Sequence, residues 1–239
     1  MIVQKVFDQL ARFFGPDNLG LLWQSVGMTI ALTIIGCGLG FAFAFLITLA
    51  RQSRGLSGAV LRIIVTLFVE VFRRIPFLVV TYLVLFGIAA FVKGASLFLI
   101  AIVAICIYAT AYLSEIIRTG FESVPHQQIE AASAMNFSRW QTLLHVILPQ
   151  SIPVILPPAI AFMIAFIKDT SLVSQIGVFE LSFRGKELVN QGMSGLFVFG
   201  MIALIYFALS YPLTRLGRWL EKRLASSRGQ EPERQLRQA

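Results

Sequence analysis

Residues 19–50 read LGLLWQSVGMTIALTIIGCGLGFAFAFLITLA, without a single Asp, Glu, Lys or Arg. An α-helix rises 1.5 Å per residue and the hydrocarbon core of a bilayer is about 30 Å thick, so roughly 20 apolar residues suffice to cross it. The run is continuous and does not alternate apolar with polar residues, which selects a helix over a barrel strand. A second such run covers residues 196–211, and shorter ones lie between. The fold class is therefore all-α, a polytopic membrane protein.

The composition agrees. Of 239 residues, 57% are hydrophobic and 13% charged, too little charge to cover the surface of a soluble domain of this size. The net charge is +8. Its Lys and Arg fall between the apolar runs, where membrane topology places them, so the basic balance argues against nucleic acid as a partner. Cys37 and Cys106 sit inside apolar runs with no CxxC spacing, and His126 and His145 lie in a polar stretch without ligand partners at suitable spacing; no disulfide framework and no metal site is expected. Residues 1–18 mix Lys5, Asp8, Arg12 and Asp17 with apolar residues, and the run that follows is too long for a cleaved signal, so the first span is expected to stay in the chain.

Working outward, the first span ends at the basic residues 51–54, which the positive-inside rule assigns to the cytosol, leaving residues 1–18 outside. Residues 56–76 carry apolar residues at helical spacing interrupted by Arg62, Thr66, Glu70 and Arg73, an amphipathic lead-in with a break at Arg73, Arg74, Ile75 and Pro76. Spans follow at 77–92 and 97–117, joined by a turn at 93–96. A polar segment then reaches Pro149, where a fourth span begins and climbs to Lys168 and Asp169. Residues 183–194 read as a polar outer loop, 196–211 as most of a fifth span, and Arg215, Arg218, Lys222 and Arg223 close it on the cytosolic side. Five crossings satisfy every loop charge with one orientation; residues 19–223 form the transmembrane domain and 224–239, with no apolar period, a disordered cytosolic tail.

Within the polar segment, residues 130–136 read EAASAMN and are followed, nine residues on, by VILP at 146–149. Glu130, Ala131, Ala132 and Met135 suit a short helix whose small residues allow close approach to another surface, and Asn136 supplies a left-handed turn into a second helix. The stretch resembles the EAA loop of type I ABC importer permeases: Glu-Ala-Ala, three residues, Gly, nine residues, Ile-x-Leu-Pro. Asn136 stands for the Gly and Val146 for the Ile. Residues 70–79, EVFRRIPFLV, and 114–120, SEIIRTG, are similar to runs of the polar amino-acid permeases, as are 123–125 and 168–172. Arg74, where Gly is usual, and Val80, where Gln is frequent, depart from that subfamily.

The resemblance implies a permease subunit of an ATP-binding cassette importer in a bacterial inner membrane, moving a polar amino acid or an analogue such as an opine. It implies a coupling loop over about 119–149 in which Glu130, Ala131, Ala132, Met135, Asn136, Arg139 and Pro149 meet an ATPase. It also implies two ABC ATPase subunits holding ATP and Mg, a second permease subunit of the same or a related chain, and a solute-binding protein on the outer face. The chain itself is expected to bind no cofactor and to catalyse nothing: Gly185-Lys186-Glu187 lacks the preceding Gly and the following hydroxyl of a phosphate-binding loop. Other readings are a permease for another small solute, or a secondary transporter or channel without an ATPase.

Charges at bilayer depth cost about 2.5 to 3.5 kcal/mol on insertion scales, so each calls for a reason. Asp169, Thr170 and Ser171 offer acceptors and donors to a passing amino acid; alternatively Lys168 and Asp169 pair with neighbouring helices or cap a broken one. Tyr108, Tyr112 and Glu115 share a helix face by i, i+4, i+7 spacing and line a pathway, unless Glu115 pairs with Arg118. Gly36 and Gly40 form a GxxxG pair suited to close helix packing.

Overall fold

A computed structural model describes residues 2–52 and 56–236, with no strand among them. The helices are α1 (Ile2–Phe13), α2 (Pro16–Arg51), α3 (Leu56–Arg74), α4 (Phe77–Phe91), α5 (Leu97–Glu122), α6 (His126–Ala134), α7 (Arg139–Thr142), α8 (Leu148–Asp169), α9 (Leu181–Asn190) and α10 (Gly195–Leu236). A π-helical turn, Leu143–Ile147, joins α7 to α8, and a 3₁₀ segment, Thr170–Ile176, follows α8. Pro149 explains the π-turn: it has no N–H to continue the i to i−4 ladder, and Leu148 N–H donates instead to Leu143 O, five residues back.

Four stretches are long and apolar enough to cross a membrane unaided: Pro16–Arg51, Leu97–Glu122, Arg139–Ile176 and Gly195–Arg223. A fifth candidate is α3 with α4, bent by 116° where Ile75 and Pro76 interrupt the helix. The amphipathic lead-in and its break are thus both present, because Pro76 disfavours helical backbone at Ile75 and cannot donate a helical hydrogen bond.

The main contact is α2 on α5. A Cβ built on Gly36 would meet Ile105 at 2.5 Å, and one on Gly40 would meet the Ala109 Cβ at 2.5 Å. The GxxxG pair therefore faces a helix of this same chain. Thr110 Oγ1 donates to Gly40 O at 3.3 Å and Thr48 Oγ1 to Ser114 O at 3.1 Å across the same seam. Buried residues of α2, α4, α5, α8 and the 3₁₀ segment form one core around Leu32, Ile105, Leu113 and Phe166.

A second core, with Phe13, Leu22, Leu181, Leu188 and Ile202, lies at the other end of the molecule. There α9 meets α1 and the start of α2: Arg12 of α1 donates to Gln191 O, just past α9, at 2.8 Å, and Arg184 of α9 to Asn18 Oδ1 of α2 at 2.5 Å.

Two expectations need correction. Residues 183–194, read as a polar loop, largely belong to α9: Glu180 caps it by accepting from Phe183 N–H at 2.8 Å, and Leu181, Arg184, Gly185 and Leu188 are buried beneath its polar surface. The period was hidden because one of the inward positions is Arg184, 3% exposed, paired with Glu187 at 2.9 Å. Residues 224–236, read as a disordered tail, continue α10 as helix; the good helix formers Leu220 to Ala225 carry the backbone onward. Residues 53–55 of the basic inner loop, and 237–239, lie outside the described residues.

Candidate functional site

Two features converge at the end of the bundle opposite α1: an exposed helical hairpin, and behind it a cluster of charges. The hairpin is α6, a turn, and α7 running into α8. Helix α6 starts after Pro125 and keeps Ala132 buried, while Glu130, Ala131, Met135, Asn136, Arg139 and Pro149 are exposed. Its end is a complete Schellman motif: Phe137 N–H donates to Ala132 O and Asn136 N–H to Ser133 O, both at 3.0 Å. Asn136 has φ 61°, the left-handed conformation read from the sequence, and no other non-glycine among the described residues has positive φ. Ser138 and Gln141 then form a reciprocal capping box that starts α7. Gln150 of α8 donates to Gln128 of α6 at 2.5 Å, tying the hairpin to the span behind it.

The hairpin tip presents large apolar surface for a polar loop: Met135 is 64% exposed and Trp140 63%. Neither needs to be exposed for the hairpin to fold. Exposed Glu130 and Arg139 stand on the same hairpin. His126 Nδ1 lies 3.0 Å from Glu130 Oε1, and both side chains are exposed.

Behind the hairpin, Glu115 collects arginines from three helices. Arg51 NH1 donates to it at 3.1 Å, Arg118 donates to its other oxygen, and Arg73 NH1 stands at 3.9 Å. Arg118 also pairs with Glu122 at 2.5 Å. Glu115 is thus the hub of an ion cluster joining α2, α3 and α5, and its pairing with Arg118 is among the contacts.

Tyr112 borders that hub. Its hydroxyl donates to Arg73 O at 3.0 Å and accepts from Tyr108, and the Arg73 guanidinium lies 5.7 Å from its ring centre. The carbonyl it holds is one of those freed where α3 breaks. Around it stands an aromatic cluster that sequence reasoning missed: Phe77, Tyr108 and Phe166 pack within 5.9 Å of one another, and Tyr112 stacks on Phe162 at 5.7 Å. The signal available was the i, i+4 spacing of Phe162 and Phe166, matching that of Tyr108 and Tyr112.

Asp169 ends α8. It makes no hydrogen bond or ion pair among the described residues, provides no side-chain cap, and is exposed together with Lys168. Thr170 is different: it is fully buried and donates to Ile167 O at 2.6 Å, so its hydroxyl is spent on its own helix. Ser171 is half-buried, and its carbonyl accepts from Ser174.

Residues 40–226 match the model of the family described as binding-protein-dependent transport system inner membrane component. The chain belongs to that family. Within it, this permease is 31% identical over 213 residues to the probable glutamine ABC transporter permease protein GlnP of Bacillus subtilis, covering 88% of this chain and 96% of that one. It is 34% identical over 219 residues to the L-cystine transport system permease protein TcyB of the same organism, covering 91% of each. Among solved structures, an amino acid ABC transporter with histidines superposes with TM-score 0.79 at 27% identity, covering 87% of the permease and 95% of that chain. The MetNI methionine ABC transporter in an inward-facing conformation gives TM-score 0.74 at 21% identity, a likeness of fold, over 88% and 99%. The permease is thus a multi-pass membrane transport component of the ABC importer type.

Proposed function

We propose that this permease carries a polar amino acid, or a close analogue, inward across the membrane, driven by ATP hydrolysis on separate subunits. The observation that carries the reading is the α6–α7 hairpin: a folded, capped, solvent-exposed knob continued as helix through the π-turn into α8. The relatives named for glutamine and cystine transport support the substrate class. The charge pattern supports an orientation with α1 outside and the hairpin and α10 terminus in the cytosol.

In the proposed assembly two ABC ATPase subunits bind ATP and Mg, and each receives one hairpin through Glu130, Ala131, Met135, Asn136 and Arg139. Ala132 and Pro149 shape the hairpin from within and at its exit. Two permease subunits, this chain with a copy or a related chain, enclose the path, and a solute-binding protein delivers the substrate to the outer face. Nucleotide shifts the equilibrium between inward and outward openings only to the extent that the ATPase pair binds one of them more tightly. Asp169 and Ser171, with Tyr112 below, face the substrate: the carboxylate accepts from its ammonium and the hydroxyls orient its polar end. Thr170 supports this site through its backbone position.

The test is Glu130→Lys in the complex with its ATPase and solute-binding protein, reconstituted in proteoliposomes. Uptake should fall to background while membrane insertion and ATPase expression stay normal. Undiminished ATP-dependent uptake by that variant removes the docking role; uptake by the chain alone, without an ATPase, makes it a secondary transporter.

A further inference from the structure

Helix α3 carries two grooves, one on either side of a single row of residues. Arg62, Thr66 and Glu70, spaced i, i+4, i+8, form the shared ridge. On one side Ala59, Ile63 and Leu67, again four apart, line an open groove of about 450 Å³. On the other, Arg51, Glu115 and Arg118 line a second, equally open groove of about 360 Å³. One wall is aliphatic and the other guanidinium-rich, and a single bound molecule can touch both.

From this pairing we propose that α3 binds one anionic phospholipid, with its phosphate among Arg62, Arg51 and Arg118 and an acyl chain along Ile63 and Leu67. Three observations select that occupant. First, the charge is unbalanced: Arg51, Arg62, Arg73, Arg74 and Arg118 stand against Glu70, Glu115 and Glu122, a surplus of two positive charges. Arg62 makes no ion pair among the described residues and is exposed. The Arg51 Nε is buried without an acceptor, although its NH1 is occupied by Glu115.

Second, the aliphatic side is not covered by this chain: Ile63 is 67% exposed and Leu67 63%. An amphipathic helix with arginines beside such residues, bent 116° from the following apolar helix, has the form of an interfacial segment, with its apolar side against acyl chains. Third, a second copy of this permease is a poor occupant, because a two-fold contact would set the same positive surplus against itself. The phosphate of a lipid neutralises the surplus and its chain covers the aliphatic wall. The leaflet is the cytosolic one if the orientation proposed above holds; the binding itself depends neither on that orientation nor on the transported substrate.

The test uses the purified complex in detergent and native mass spectrometry, titrated with phosphatidylglycerol or with phosphatidylcholine of identical acyl chains. The wild type should retain one phosphatidylglycerol per permease chain with about fivefold preference over phosphatidylcholine, the factor a single arginine at a membrane surface provides. Arg62→Gln should remove that preference, Arg62→Lys should keep most of it, and Leu67→Asn should weaken both lipids alike. Since Arg62 makes no ion pair among the described residues, Arg62→Gln should melt as the wild type does; should it not, Arg62→Lys and Leu67→Asn decide. Equal binding of the two lipids by the wild type, or unchanged preference in Arg62→Gln, overturns the proposal. So does displacement of the lipid by millimolar inorganic phosphate, which would make the site one for the free anion. Efficient disulfide formation between two permease chains carrying Ile63→Cys would also overturn it, by making the groove a protein interface.

Discussion

The seam between α2 and α5 is the tightest test of the packing, and Gly40→Ala addresses it with one methyl group. The added Cβ would lie 2.5 Å from the Ala109 Cβ, 3.2 Å from Thr110 N and 3.3 Å from Ala109 C. Carbon pairs prefer about 3.5 to 4.0 Å, so the overlap is about 1 Å or more. None of the three atoms sits on a side chain that can rotate away. The helices must therefore separate, and the Thr110 bond to Gly40 O, already 3.3 Å, is lost. Overpacking of this kind costs about 1 to 3 kcal/mol, partly offset by roughly 1 kcal/mol gained when Ala replaces Gly in a helix. At about 2 to 4 °C per kcal/mol for a chain of this size, the net effect is a fall in melting temperature of a few degrees. Gly38→Ala is the internal control: nothing lies within 4 Å of its built Cβ, so only the propensity gain remains and the melting temperature should hold or rise. Thermal unfolding of the purified complex, followed by tryptophan fluorescence, reads both. Identical melting of the two variants would refute the assigned contact.

Asn136→Val places a β-branched residue at φ 61°, costing about 1 to 2 kcal/mol, whereas Asn136→Gly does not; ATP-dependent uptake in proteoliposomes should fall in the first and persist in the second. Glu115→Gln leaves Arg51, Arg73 and Arg118 facing one another without their carboxylate. Because the Glu115 side chain is 21% exposed, the expected destabilisation is about 1 to 3 kcal/mol, below that of a fully buried pair, and is read by thermal unfolding. Glu180 has its carboxyl pushed above the usual range, first by burial. The folded state then holds that proton more tightly than the unfolded chain. The stability it contributes is complete below the ordinary glutamate range and is lost as pH rises through the elevated folded value; the melting temperature should decline with pH over that window, and Glu180→Gln should flatten the decline.

What was legible in the sequence was what composition and local backbone chemistry control. The charge-free run at 19–50 announced α2, Pro76 announced the break between α3 and α4, and Asn136, at the one position where a hairpin of this spacing needs positive φ, announced the turn. The GxxxG pair announced close packing but not its partner, since Ile105 and Ala109 are unremarkable apolar residues of another span. Glu115 kept two readings open because periodicity places a side chain on a face without saying what stands opposite; Arg51 and Arg73 come from helices 64 and 42 positions away in sequence. Helix α9 was missed for a related reason. Its inward face includes Arg184, and its cap, Glu180, is a buried carboxyl group that accepts from Tyr206 Oη of α10 at 2.7 Å. Polar residues satisfied by distant partners look like loop when read in isolation.

The parts described above are mechanically continuous. From Arg139 the chain stays helical through α7, the π-turn and α8 to Asp169, with Pro153, Pro157 and Pro158 each removing a ladder hydrogen bond inside α8; if the hairpin docks as proposed, this continuous helix connects it to the far end of α8. Along that helix Phe162 and Phe166 press on Tyr112, Tyr108 and Phe77, which stand beside the α3–α4 break, and Tyr112 grips the Arg73 carbonyl freed there. Packed aromatic rings resist compression, so α8 cannot move along its axis without either sliding past this cluster or taking the break with it. The Glu115 hub ties α2, α3 and α5 on the other side of the break, and a guanidinium–carboxylate cluster accommodates discrete repacking better than continuous stretch. The bend in α3–α4 stands between the aromatic cluster and the Glu115 hub, and it lies next to the groove where the lipid is proposed to sit.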